Sequence, residues 1–308
     1  MQRIIQFLIL TAFILMFFGC SAKQPNPQTS TPAREFKLPE IPLMLTDSTE
    51  IRAFLAMHYW DNYNFADTTI SQQISYTEEA FINYIILLQK TSNNIATKSI
   101  QKLMQKAQAD SGVFAYFMGL SERYFYDPTS PFRNDEFYIP ALEVIMSSNL
   151  LSASQKIRPA FQLNMARKNR VGTKATDLNF ILRNGENKRM YECMAFYTLL
   201  IFYNPDCHTC HETIIKMKNS KLLSELIQNK SLKTIAIYTD SDKKAWLKYH
   251  SNIPEMWING WLNGLNTKQA EKYDLKASPT LYLLAKDKTV ILKDAQIEQV
   301  LDYLKAKN

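Results

Sequence analysis

Phe202-Tyr203-Asn204-Pro205-Asp206-Cys207-His208-Thr209-Cys210 is the stretch on which the fold turns. It closes a continuous apolar run, Met194 to Tyr203, that reads as a buried strand, and Asn204-Pro205-Asp206 stops that run. Beyond it, Glu212 to about Gln228 carries Ile214, Ile215, Met217, Leu222 and Leu226 at helical spacing. The two cysteines therefore stand where a strand turns directly into a helix. Unpaired amide groups and the dipole of a helix N-terminus stabilise a thiolate on the first cysteine. Two intervening residues allow a disulfide across one turn. Cys207 is expected to be the exposed attacker and Cys210 the more buried resolver. His208, beside the pair, would favour the thiolate when protonated.

Outward from this point, residues 170–308 alternate strand and helix signals. Asp177 to Leu182 reads as a strand ending at the turn Asn184-Gly185, and Leu232 to Tyr238 as a second buried strand. A helical stretch follows, then a loop holding Trp257 and Trp261. Residues 279–284 and 289–292 pair as a hairpin around Asp287-Lys288, and 295–306 form a closing helix. Strand, helix, strand, hairpin and helix make an α/β domain with mixed pairing.

The order strand, Phe-Tyr-x-Pro-x-Cys-x-x-Cys, helix, strand, then Ser278-Pro279-Thr280 before a strand, resembles the membrane-anchored thioredoxins of the TlpA/ResA kind. The resemblance implies an α/β thioredoxin fold over 170–308, with Pro279 cis and packed near the cysteines. It implies a substrate-binding role for Ser278, Pro279 and Thr280, and no diffusible cofactor. Three departures stand out. Position 201 is Ile, where cytosolic thioredoxins hold a buried aspartate. Position 213 is Thr, where many relatives carry glutamate, and Glu212 lies one residue earlier. His208 and Thr209 occupy the positions between the cysteines, where Pro is common. His208, Thr209 and Glu212 are thus expected to tune the pair.

Residues 45–168 read as an all-α helical domain. Ile51, Phe54, Leu55 and Tyr59 fall at helical spacing after Asp47-Ser48, and Ser75 with Glu78 reads as a capping box. Further amphipathic segments cover about 95–108, 112–125, 135–149 and 153–168. The half is rich in aromatics, with His58 expected in the core or an interface. The stretch His58-Tyr59-Trp60-Asp61-Asn62-Tyr63 resembles the uncharacterised domain that precedes thioredoxin domains in Bacteroidota-type lipoproteins, which implies an architecture and no activity.

At the N-terminus, Arg3 precedes the apolar run Ile4 to Phe18, which suits a secretory signal over residues 1–19. The run ends in Gly19-Cys20, resembling the bacterial lipoprotein processing box, which implies cleavage before Cys20 and its acylation. Residues 20–44, with five prolines, read as a lipidated tether. Ser21 follows Cys20 and the first acidic residue is Glu35, so the acidic cluster that resembles a surface-export signal is absent. The chain is expected in the cell envelope, periplasm-facing, on the outer membrane. Export places it among exported protein thiols and disulfides, with a membrane or periplasmic electron donor as partner.

Composition sets bounds on these readings. The 308 residues include 46% hydrophobic and 21% charged residues, a globular composition. Beyond Cys20 only Cys193, Cys207 and Cys210 occur, too few for a disulfide scaffold. The net charge of +7 is spread thinly, with 15 basic against 14 acidic residues over 20–170. No basic cluster interleaves with aromatics, which argues against nucleic acid. Cys207 to His211 also spells Cys-x-x-Cys-His, a haem-attachment motif, but the strand-to-helix junction argues against it. Metal binding by the cysteines with His208 or His211 would crowd a tetrahedral site. The main alternative is a binding module in which the disulfide is structural. Cys193 reads as a buried strand residue.

Overall fold

The structure, a computed structural model, describes residues 36–67, 74–263, 268 and 272–307. The expected signal peptide, Cys20 and the tether up to residue 35 lie outside the described residues. Phe36, within the expected tether, stacks on Tyr59 with ring centroids 5.0 Å apart.

Among the described residues, the N-terminal half folds into α1 (Ser48–His58), α2 (Ile74–Leu88), α3 (Asn93–Ala107), α4 (Ser111–Ser121), α5 (Asp135–Ser147) and α6 (Ala153–Ala166). Short polar side chains set where five of these begin. Asp47, Ser92, Asp110, Asn134 and Ser152 each accept backbone N–H groups that the first turn leaves unpaired. Ser75, expected to stand ahead of a helix as a capping residue, lies inside α2. Glu78 instead accepts from Arg123 and from the Tyr124 hydroxyl at 2.7 and 2.6 Å. The core is built on rings: Trp60 packs edge-on against Tyr63 and Phe117, and Phe81 and Tyr84 are fully buried. Of the two positions expected of His58, core or interface, the core is not the one it takes. Its Nδ1 lies 2.7 Å from the Asp61 carboxylate at the surface. Burial alone would raise the Asp61 carboxyl; Lys106, His58 and Lys102 override this and hold it below the ordinary range.

Among the described residues, the C-terminal half is a seven-stranded mixed sheet flanked by helices. Its strands are β1 (Asn179–Ile181), β2 (Asn187–Arg189), β3 (Tyr197–Tyr203), β4 (Leu232–Tyr238), β5 (Ile258–Trp261), β6 (Thr280–Ala285) and β7 (Val290–Lys293). Its helices are α7 (His208–Asn219), α8 (Lys221–Gln228), α9 (Lys243–Tyr249) and α10 (Ile297–Lys307). The strand order is β2-β1-β5-β4-β3-β6-β7; β3, β4 and β5 are parallel, and the other pairings are antiparallel. Every residue of β3 is buried, which is why it reads as an unbroken apolar run rather than an alternating one. Leu199, Ile201 and Tyr203 pack with Ile214, Met217, Trp246 and Val300 of the helices. Leu200 and Phe202 face Phe180, Met190 and Tyr273.

Three details differ from the sequence reading. First, β3 begins at Tyr197, and Met194 and Phe196 are exposed in the segment that leads into it. Second, the long amphipathic segment is broken at Ser220, whose hydroxyl caps α8 through the N–H of Leu223. Third, Trp261 lies in a strand rather than a loop, pairing in parallel with Tyr238. That strand is possible because position 260 is Gly: a Cβ there would fall 2.4 Å from the Phe180 ring.

Phe36–Asn308 forms one compact unit, and ion pairs and hydrogen bonds join its helical and sheet parts. Arg133 grips Asp294 with Nε and Nη2 at 2.7 and 2.8 Å. Lys293 Nζ donates to the carbonyls of Ala166 and Lys168 and lies 2.7 Å from Asp135 Oδ2.

Candidate functional site

The loop after β3 is shaped by Asn204, whose side-chain oxygen accepts from Asp206 N and whose carbonyl accepts from Cys207 N. Beneath it, the Tyr203 hydroxyl donates to Asn259 Oδ1 at 3.0 Å, and that oxygen also takes the Trp246 indole N–H at 3.0 Å. The chain then enters α7 with Cys207 as the capping residue. Cys207 Sγ accepts the N–H of Cys210 at 3.1 Å, the contact by which a helix start favours negative charge on a sulfur.

Cys207 is partly exposed, whereas Cys210, one turn into the helix, is fully buried. Burial, and then its contact with the Cys207 thiol, push the Cys210 thiol up to about 12. Both are free thiols in the structure. The two sulfurs thus differ in access, and the difference falls in the order expected for attack and resolution.

From across the sheet, the loop before β6 brings in the second part. The Ser278–Pro279 peptide bond is cis, as the resemblance implied, and the Ser278 carbonyl accepts from Cys207 Sγ at 3.2 Å. Thr280, also expected at the substrate face, is buried instead, its hydroxyl turned to the carbonyl of Ala277 at 2.6 Å. Thr209 is exposed. His208 is also exposed, its Nε2 lying 3.2 Å from Glu212 one turn on. His208 and Glu212 therefore pair on the rim of the site.

Sequence reasoning missed Tyr249 at the end of α9, whose hydroxyl lies 3.0 Å from His211 Nδ1. Burial, and then the charges available to Cys210 and Cys207, raise the Tyr249 phenol. Nothing in the sequence marks Tyr249, because it lies 38 residues beyond His211 in the β4–β5 crossover, and only the pairing of β4 beside β3 carries it to the thiols. His211 entered the sequence reading only as a haem or metal ligand. Among the described residues there is no cluster of three or more His, Cys, Asp or Glu side chains able to hold a metal. Burial of Cys210 also leaves the second sulfur of the haem motif without the access that a thioether bond requires.

Cys193 follows a short 3-10 turn, Met190–Glu192, and is fully buried on the far face of the sheet, with Sγ 3.6 Å from the carbonyl of Arg189. Burial pushes its thiol up. In the folded, reduced protein at neutral pH, iodoacetamide is expected to modify Cys207 and spare Cys193. Peptide mass mapping checks this, and comparable labelling of Cys193 would contradict its buried placement.

Comparison with known proteins places this arrangement among relatives. Residues 19–169 match a family described as a domain of unknown function (DUF5106). The chain is similar to the crystal structure of a thioredoxin-like protein from Bacteroides caccae, with 41% identity and a TM-score of 0.86. That match covers 89% of this chain and 99% of the other. It is also similar to the C-terminal domain of an uncharacterized protein from Bacteroides fragilis, 42% identical over 44% of this chain and 98% of that one, with a TM-score of 0.43. No curated protein matches. The expected architecture, a helical half followed by a thioredoxin-like α/β half, is borne out over nearly the whole chain.

Proposed function

This chain belongs to the family of thioredoxin-like proteins, and from that premise we propose that it is a thiol–disulfide oxidoreductase working through Cys207 and Cys210. The observation that supports this most strongly is the asymmetry of the pair. Cys207 caps α7 and opens to solvent opposite the Ser278 carbonyl, while Cys210 is buried behind it.

In the reducing direction, the Cys207 thiolate attacks one sulfur of a client disulfide, and the other client sulfur leaves as a thiolate. The Cys207–client mixed disulfide is then attacked by Cys210 after it yields its proton. A Cys207–Cys210 disulfide forms, the second client thiolate departs, and two electrons have passed to the client. In the oxidising direction the same steps run in reverse. The chain's residues supply position and access. Ser278 and the Cys210 amide hold Cys207 Sγ, and burial keeps Cys210 protonated until the mixed disulfide places a sulfur beside it. His211 and Tyr249, joined at 3.0 Å, stand where that proton could pass, taking the place of the acid that Ile201 lacks.

On the sequence of the first 35 residues, the protein is a lipoprotein acylated at Cys20 and held in the cell envelope facing the periplasm. Its clients are then exported protein thiols, and a membrane or periplasmic partner exchanges electrons with it. The chain carrying Cys20→Ser, added in catalytic amount to a disulfide-bonded protein with dithiothreitol as donor, should accelerate client reduction. Client reduction at the rate of dithiothreitol alone would leave only the reading of a non-catalytic module.

A further inference from the structure

The helical half touches the redox site through a buried charge cluster. Lys276 stands two residues before Ser278, whose carbonyl meets Cys207 Sγ at 3.2 Å. The Lys276 ammonium lies 2.6 Å from Asp135 Oδ1, in the first turn of α5, and 3.1 Å from Asp274 Oδ2. It also sits 4.5 Å over the centroid of the Tyr126 ring, again from the helical half. These are interior groups, with the Lys276 side chain 4% exposed and those of Asp135 and Asp274 each 7%. Asp135 is shared with Lys293 of β7, so one carboxylate of α5 ties two separate segments of the sheet half to the helices.

A buried ion pair is weak evidence for stability, because desolvation of both charges offsets much of their attraction. It is strong in another respect. With water excluded, a charge-assisted hydrogen bond fixes the position of its partners closely, and Lys276 makes one to Asp135 while the Asp274 carboxylate and the Tyr126 ring also flank its ammonium. The segment it fixes is the one that carries Ser278 to Cys207. A shift of this carbonyl by a fraction of an ångström changes how well it meets the sulfur as thiol, as thiolate and as disulfide. Those differences set both the redox equilibrium and the ease of attack.

We infer that Lys276 is a positioning residue for the thiol pair. Through Lys276, Asp135 of the helical half fixes where the Ser278 carbonyl meets Cys207 and so sets the potential and reactivity of the pair. This inference rests on the proposed thiol–disulfide exchange, and it gives the helical half a role in that chemistry.

The test compares the chain carrying Cys20→Ser with the same chain bearing Lys276→Met, Lys276→Arg, Asp135→Asn or Arg133→Met. Arg133→Met removes the neighbouring bond to Asp294 in the same interface but off the loop that carries Ser278. For each, equilibrium with glutathione and the pH profile of Cys207 alkylation are measured, with Tm alongside. Lys276→Met and Asp135→Asn are expected to change the redox equilibrium constant about tenfold, about 30 mV for this two-electron couple, and to displace the alkylation profile. Lys276→Arg should restore most of both, and Arg133→Met should lower Tm and leave both in place. Shifts in Arg133→Met as large as those at Lys276 would overturn the inference. So would an unchanged equilibrium and profile in Lys276→Met and Asp135→Asn together. Should Lys276→Met not fold, Asp135→Asn, which keeps an oxygen facing the ammonium, decides the matter. A parent chain that shows no reversible equilibrium with glutathione refutes instead the exchange reading beneath the inference.

Discussion

Cys207→Ser is expected to bring client reduction down to the rate of dithiothreitol alone, a loss of several orders of magnitude, since it removes the nucleophile itself. Cys210→Ser is expected to look different. Cys207 can still attack, but the sulfur that resolves the intermediate is gone, so the protein should accumulate in mixed disulfides with its clients. The proposed roles take this order because Cys207 is open to solvent and takes the Cys210 N–H, while Cys210 is buried with its thiol pushed up to about 12. A non-reducing gel of each variant after reaction with a disulfide-bonded client separates the cases. Cross-linked product in Cys210→Ser and none in Cys207→Ser is the expected result. The reverse pattern would mean that the roles are exchanged.

The second large effect is on stability and centres on Asp135. Asp135→Ala leaves Lys276 and Lys293 buried without their shared counter-charge, and removing one partner of such a group costs about 3–5 kcal/mol. For a unit of this size that is a fall in Tm of roughly 5–9 °C. The pH dependence has a definite sign. Burial alone would raise the Asp135 carboxyl, but Lys276 and Lys293 override burial and hold it below its ordinary value of 3.8. A depressed carboxylate contributes stability that is present above its unfolded pKa and lost as pH falls through the folded one. Asp274 and Asp294 act in the opposite sense. Burial raises both, so their protonation on acidification favours the folded state. The gap in Tm between the parent and Asp135→Ala should therefore be fully open at neutral pH and narrow below about pH 3.8. A gap that stays constant into strong acid would contradict the ion-paired assignment of Asp135.

The features that were legible in the sequence are those with local causes. The unbroken apolar run before Asn204 gave β3 because a strand covered on both faces needs no polar alternation. Asp47 before α1 and the cysteines opening α7 were readable because capping chemistry sits within one turn. Readings failed where the deciding partner is distant in the chain. Ser75 and Glu78 have the spacing of a capping box, yet Glu78 is taken by Arg123 and Tyr124 from 45 and 46 residues away. Gly260 gave no strand signal, and its reason is the Phe180 ring lying over it. Within the site, Cys207, Cys210, Ser278 and Pro279 could be named from motif and resemblance, and the structure brings them together. Thr280 could be named as well, but it turns inward. Tyr249 and Lys276 could not be named, because a single tyrosine or lysine has no pattern until the fold supplies its neighbours.

The central claim is that Cys207 and Cys210 are a working redox couple rather than a structural bond. Equilibration of the chain carrying Cys20→Ser in buffers of graded potential, followed by alkylation and mass measurement at Cys207 and Cys210, tests it most directly. A reversible two-electron midpoint between roughly −120 and −300 mV, the span of catalytic pairs, is the expected result. A pair that stays oxidised well below −300 mV, or that never forms a bond, would contradict it.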